Sequence, residues 1–102
     1  MCEYYVYILA SKRNGTLYVG MTDNLVKRVV RHKSSRANEF AAKYDVRKLV
    51  YYENHKSLED ALKREKQLKK WKRQWKMRLI ESRNPVWKDL FSEVIKTTKT
   101  PA

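Results

Sequence analysis

Glu65 is the residue that most needs explaining. It falls in the series Leu58, Ala61, Leu62, Glu65, Leu68, which is spaced to form one inward face of a helix. An ionised carboxylate turned inward is costly unless it is paired or binds a metal. Two chemistries are therefore open: a structural ion pair with a nearby Lys, or a cation site. Earlier in the chain Leu25, Val29 and His32 recur at helical spacing, with Arg28 at the edge of their face and Lys27 and Arg31 directed away. An inward His is either a hydrogen-bonded core group or an acid–base group. An inward Arg is either a salt-bridge partner or an anion ligand. Tyr7 and Tyr18, on two neighbouring strand-like runs, are either packing residues or a pair of phenols facing one site.

The elements that must position these residues are legible in outline. Residues 4–9 are aromatic and β-branched and predict a strand. Ser11 to Gly15 predicts a hairpin loop with Asn14-Gly15 as its turn, and residues 16–21 predict the return strand. If Leu9 opposes Thr16, Tyr7 lies opposite Tyr18 on one face. Thr22-Asp23-Asn24 supplies helix-capping chemistry, so a helix should run from Leu25 to Lys33. Residues 34–45 are polar and mixed, with a short helix expected near Phe40. Val46 to Glu53 predicts a third strand. Ser57, with Asp60 three residues on, opens a long helix that should break near Trp71–Arg73. A further helix is expected from Trp75 to Ser82, ended by Asn84-Pro85, with Val86 to Leu90 as a last packed segment. The expected organisation is one domain over residues 1–92 with a polar, frayed tail at 93–102. The expected fold class is α+β: a small three-stranded antiparallel sheet flanked by helices.

Charge points to the partner. The 102 residues carry 24 Lys and Arg against 11 Asp and Glu, a net +13. Such an excess favours a polyanion, because Lys and Arg gain affinity by displacing counterions condensed on phosphates. Lys63 to Arg78 is basic but still carries Leu and Trp, so it predicts a helical basic face rather than low-complexity sequence. Trp71, Trp75 and Trp87 could stack on bases, but are expected to serve as core or helix-packing residues. The single cysteine, Cys2, excludes an internal disulfide and a cysteine zinc cage. No apolar run reaches membrane-spanning length, and the N-terminus lacks the pattern of a signal peptide. A cytoplasmic protein without a membrane partner is expected.

Tyr5-Val6-Tyr7, followed after an interval by Tyr18-Val19-Gly20, resembles the two short motifs of the GIY-YIG nuclease superfamily. The likeness runs from about Tyr4 to Leu90. It is closest to small free-standing bacterial members related to the nuclease domain of the excision-repair subunit UvrC. The chain departs from the motif at Tyr5, where the motif has Gly, and at Val6 and Val19, where it has Ile. The resemblance implies a metal-dependent endonuclease cutting DNA, with a place in repair or recombination. It implies one Mg²⁺ or Mn²⁺ ion bound by Glu65 and polarising the scissile phosphate. By the same resemblance Tyr7 is the general base, its phenol lowered by nearby cations such as the metal site or Lys27 and Arg28. Tyr18 orients water or a phosphate oxygen, and Arg28 stabilises transition-state charge. His32 hydrogen-bonds a Tyr hydroxyl or takes its proton. Asn84 positions a backbone phosphate, or else merely ends a helix before Pro85. Lys27, Lys69, Lys70, Lys72 and Arg73 are the expected backbone contacts, with DNA preferred over RNA and a protein partner supplying specificity.

Two further readings remain beside the enzyme. One is a nucleic-acid-binding module of the same fold with weak or no catalysis. The other is a basic ribosome-associated protein, which gives no reason for Tyr7, Arg28 and Glu65 to converge.

Overall fold

The computed structural model describes residues 3–33 and 46–98. Strand β1 (Tyr4–Ala10) and strand β2 (Leu17–Thr22) form a hairpin, and strand β3 (Lys48–His55) pairs antiparallel with β1 on its other side. The strand order is β2-β1-β3, so β1 is central and β2 is an edge. The central position explains the composition of β1: Val6 to Ala10 are all buried, because both faces of this strand are covered.

The two faces carry different helices. Val6, Ile8 and Ala10 pack with Val19, Val50 and Tyr51 against Ala61 and Leu68 of helix α2 (Leu58–Lys70), Ile80 of helix α3 (Arg73–Arg83), and Trp87. Tyr7 and Leu9 pack with Leu49 against Leu25 and Val29 of helix α1 (Leu25–Lys33) and Val94 of helix α4 (Phe91–Thr98). Strand alternation thus sends Tyr7 towards α1 and its neighbours Val6 and Ile8 towards α2. The α+β class and the flanked three-stranded sheet are as the sequence predicts.

Several details differ. The hairpin register is Leu9↔Tyr18 and Tyr7↔Gly20, two residues from the expected pairing. A slip of two preserves the face, so both tyrosines still point the same way, now as diagonal neighbours. The loop sets this register: Ser11 N–H donates to Thr16 O, Gly15 N–H donates to Lys12 O, and Asn14 takes a left-handed φ of 59°. The third strand begins at Lys48 and runs on to His55. The two later helices match the expected break, with α2 ending at Lys70 and α3 starting at Arg73.

The inward stripe of α2 is narrower than its apolar spacing suggests. Ala61 and Leu68 are buried, whereas Leu58 and Leu62 are exposed. Ala61 and Leu68 face the sheet with Arg64 and Glu65 partly buried between them, and Arg64 pairs with Glu53 of β3 at 2.7 Å, where Glu53 also accepts from the Tyr51 hydroxyl. The tail expected to fray from residue 93 is instead helical to Thr98, with Val94 buried against α1. Asp89 anchors this last helix by accepting from Phe91 N–H and Leu49 N–H and pairing with Lys33. The short helix expected near Phe40 lies outside the described residues, as does Cys2. No described helix is long and apolar enough to cross a membrane.

Candidate active site

The centre of the site is the Tyr7 phenol. Tyr7 comes from the middle of β1 and is fully buried. Its ring leans over Gly20, directly opposite on the edge strand. A Cβ at Gly20 would lie 2.5 Å from the Tyr7 hydroxyl and 2.7 Å from Cζ, closer than real Cβ atoms approach anything. The backbone conformation of Gly20 is unremarkable for any residue, since no glycine here has a positive φ. Glycine is needed at this position for clearance alone.

Helix α1 closes the other side. Asn24 caps it, its side-chain oxygen accepting from Lys27 N–H at 3.0 Å, and Thr22 Oγ1 holds Asn24 N–H at 3.0 Å. Capping fixes the start of the helix, and helical spacing then delivers His32 to Tyr7. The Tyr7 hydroxyl lies 3.4 Å from His32 Nε2. Tyr18 completes an aromatic triangle: its ring centroid is 6.4 Å from Tyr7 and 5.1 Å from His32.

The electrostatics of this cluster follow from burial. Desolvation pushes the Tyr7 phenol well above its ordinary range, and Tyr18 and Glu65 push the same way. The neighbouring Arg28 guanidinium opposes them through its charge and a hydrogen bond, but burial wins. The expected lowering of this phenol by neighbouring protein cations is therefore not what the fold produces by itself. His32 moves down to about 4, first because it is buried and then because Arg28 and Arg31 disfavour a second cation. A neutral imidazole at pH 7 can accept the Tyr7 O–H. A protonated one would stand buried beside two guanidiniums. The 3.4 Å contact places the His32 imidazole within hydrogen-bond reach of the Tyr7 hydroxyl, with donor and acceptor set by the tautomer.

Glu65 comes from α2, in the opposite layer, yet its charge reaches Tyr7. Its side chain is 18% exposed and pairs with Lys69 at 3.1 Å across one helical turn. The sequence left open an ion pair or a cation site, and the ion pair exists. It is a pair with a mostly solvated Lys, of a kind worth roughly 0–1 kcal/mol. Among the described residues no three His, Cys, Asp or Glu side chains gather as a ready-made metal cage. Glu65 thus stands as a single carboxylate whose charge reaches the Tyr7 phenol, and one carboxylate suits a hard cation that keeps its waters.

The model of the GIY-YIG catalytic domain matches residues 3–78, which carry Tyr7, Tyr18, Arg28, His32 and Glu65. The chain belongs to the GIY-YIG family. Within it, the chain groups with the UPF0213 proteins. It is 35% identical over 83 residues to UPF0213 protein SH2523 of Staphylococcus haemolyticus, spanning 81% of this chain and 100% of that protein. It is 43% identical over 89 residues to a UPF0213 protein of Syntrophus aciditrophicus, spanning 83% and 97%. The solution NMR structure of UPF0213 protein BH0048 from Bacillus halodurans shares the fold, with a TM-score of 0.54 and 24% identity over 96% of this chain and 99% of that one.

In this GIY-YIG chain the structure separates the remaining sequence-selected residues. Lys27 is exposed beside Arg28 in a shallow cavity of about 160 Å³, shared with Thr22, Asp23, Asn24 and Arg31. Lys70 and Lys72 are exposed near the junction of α2 and α3, and Lys69 is exposed beside Glu65. Arg73 is engaged elsewhere: its guanidinium donates to the carbonyls of Asn14 and Gly15 and holds the hairpin loop. Asn84 is buried, and its side chain is spent on the fold. Its amide donates to Val50 O at 3.0 Å and Lys88 O at 2.8 Å, and its oxygen accepts from Lys88 N–H at 3.0 Å. Of the two readings of Asn84, the structure favours the turn. In the sequence Gly20 is only a motif letter. Its partner across the strand pair is what gives it a physical role.

Proposed function

We propose that this GIY-YIG chain is a divalent-metal-dependent endonuclease that hydrolyses phosphodiester bonds in DNA, acting in the cytoplasm in repair or recombination with a protein partner supplying specificity. One observation carries the reading: the Tyr7 phenol is held between His32 Nε2 and Arg28, over Gly20, within the field of Glu65. Such convergence has no use in packing, since a buried phenol pushed upward needs only one hydrogen-bond partner.

The residues divide the work as follows. Glu65 would hold one Mg²⁺ or Mn²⁺, giving up its weak pair with Lys69. When bound there, such an ion would supply positive charge to polarise the phosphate and lower the phenol. Tyr7 would act as the phenolate that a bound cation favours, its own proton released to solvent, and the phenolate oxygen would take the proton from the attacking water. Neutral His32, in the tautomer with its proton on Nε2, would hold the phenolate oxygen by donating a hydrogen bond to it. Arg28 neutralises the negative charge that grows on the phosphate oxygens. Tyr18, facing both rings, orients the water or a phosphate oxygen.

The test is cleavage of supercoiled plasmid and branched DNA with Mg²⁺ or Mn²⁺, comparing wild type with Glu65→Gln. Metal-dependent nicking that disappears in the variant, with an unchanged circular dichroism spectrum, supports the enzyme and its ligand together. Salt-sensitive binding by both proteins with cleavage by neither would instead establish the binding module. That second reading draws on the raised Tyr7 phenol and the existing Glu65–Lys69 pair.

A further inference from the structure

Trp75 does not sit where a tryptophan of a small domain is expected. Trp87 is fully buried, but Trp75 is 48% exposed on the outer side of α3. It meets Trp71 edge to face, with ring centroids 5.9 Å apart and planes at 83°. The two rings line an open cleft with Arg78, Leu79 and Ser82. Trp71 is half-buried, and the Arg64 guanidinium lies over its ring at 5.2 Å. Its aromatic surface is therefore largely committed, whereas half of Trp75 faces water.

The surroundings indicate what would cover it. From Lys63 to Arg78 the chain has nine Lys or Arg and a single acid, Glu65. Lys70, Lys72 and Arg78 are all exposed around the cleft and the junction that leads to it. A protein partner matched to this patch would have to be strongly acidic and also offer an apolar ring-sized group. Nucleic acid offers both in one repeating unit: a phosphate for each cation and a flat π-face for the tryptophan. Stacked bases inside a duplex present only their edges, so the base that reaches Trp75 must be unpaired.

We propose that the Trp71–Trp75 cleft is a stacking subsite for an unpaired base of the nucleic acid, with the neighbouring strand backbone held by Lys70, Lys72 and Arg78. This rests on the reading of the partner as nucleic acid and narrows it to substrates with a single-stranded segment. Glu65 and Trp71 belong to one helix and its cap, so the subsite and the candidate scissile position are joined rigidly.

The experiment is equilibrium binding of a thymidine homopolymer, a uridine homopolymer and a mixed-sequence duplex of equal length, over a range of salt. Wild type should bind one or both homopolymers more tightly than the duplex. Trp75→Ala should weaken that binding by roughly five- to a hundred-fold, while Trp75→Phe restores most of it. The slope of affinity against salt should stay the same in Trp75→Ala and fall by about 0.7 for each cation lost in Lys70→Ala and Lys72→Ala. Preference for one homopolymer would assign the strand as DNA or RNA. Unchanged homopolymer affinity in Trp75→Ala overturns the subsite and leaves the nuclease reading standing. So does tighter binding of the duplex. A change of sedimentation in Trp75→Ala, with no change in binding, would assign the cleft to a second copy of the chain. Failure of wild type to bind any of the three would remove both readings.

Discussion

Gly20 and Tyr7 face each other across the β1–β2 pair, and the Cβ that Gly20 lacks would stand 2.5 Å from the Tyr7 hydroxyl. The phenol at the centre of the site therefore occupies the space of a missing side chain. Gly20→Ala should push the ring aside, by about the distance that costs on the order of a hundred-fold in rate. The crowding should also cost about 1–3 kcal/mol of stability. Urea denaturation and plasmid nicking on the same samples check both. Full activity with unchanged stability would mean that the ring tolerates displacement and the contact does not matter.

His32 makes stability depend on pH. Its folded-state pKa of about 4 lies below the ordinary 6.5, so the unfolded chain binds this proton first as pH falls. The contribution of neutral His32 is complete above about 6.5 and is lost as pH drops towards 4. The loss should approach about 3 kcal/mol at the lower end. His32→Gln keeps a hydrogen-bonding group without a titration in this window, so its denaturation midpoint should vary less with pH. Parallel curves for the two proteins would exclude His32 as the cause.

Arg28 is the residue best placed to touch substrate charge. Arg28→Ala should reduce cleavage by roughly 10²–10³-fold, the loss typical of one preorganised transition-state partner. Its folding should be preserved, because the packing of α1 rests on Leu25, Val29 and His32. Arg28→Lys should recover only part of the rate, since a point charge does not reproduce a two-pronged donor. Single-turnover kinetics with circular dichroism distinguish this from unfolding.

Asn84 should behave in the opposite way. Its three side-chain hydrogen bonds join β3 to the turn before α4. Asn84→Ala would leave the buried Val50 carbonyl without this donor and cost about 2–4 kcal/mol. Under conditions where the variant is still folded, its cleavage rate and DNA affinity should match wild type. A loss of affinity at full stability would return Asn84 to the binding site.

Much of this molecule follows from local pattern. The all-apolar Val6 to Ala10, the Asn14-Gly15 turn, the Asn24 and Ser57 caps and the break before Arg73 are signals carried within a few residues, and each element forms where its signal lies. The inward positions of Leu25, Val29 and His32 follow from helical spacing in the same way. Other features depend on which element meets which. The register that sets Gly20 opposite Tyr7 rests on the closure of one loop, and alternation alone does not distinguish it from a slip of two. The exposure of Leu58 and Leu62 depends on which side of the helix meets the sheet, which helical spacing alone does not set. Burial in α4 comes from docking on α1, since an isolated segment with that polar ending has little reason to fold. The shifts of Tyr7 and His32 are the same kind of fact: they arise from burial and from charges brought in by other elements. The sequence by itself determined the elements, the basic charge and the residue types available for chemistry, because these depend on near neighbours. Only the tertiary structure decided which phenol is buried, which tryptophan faces water and which charges oppose each other, because desolvation and Coulomb energy depend on distance in space.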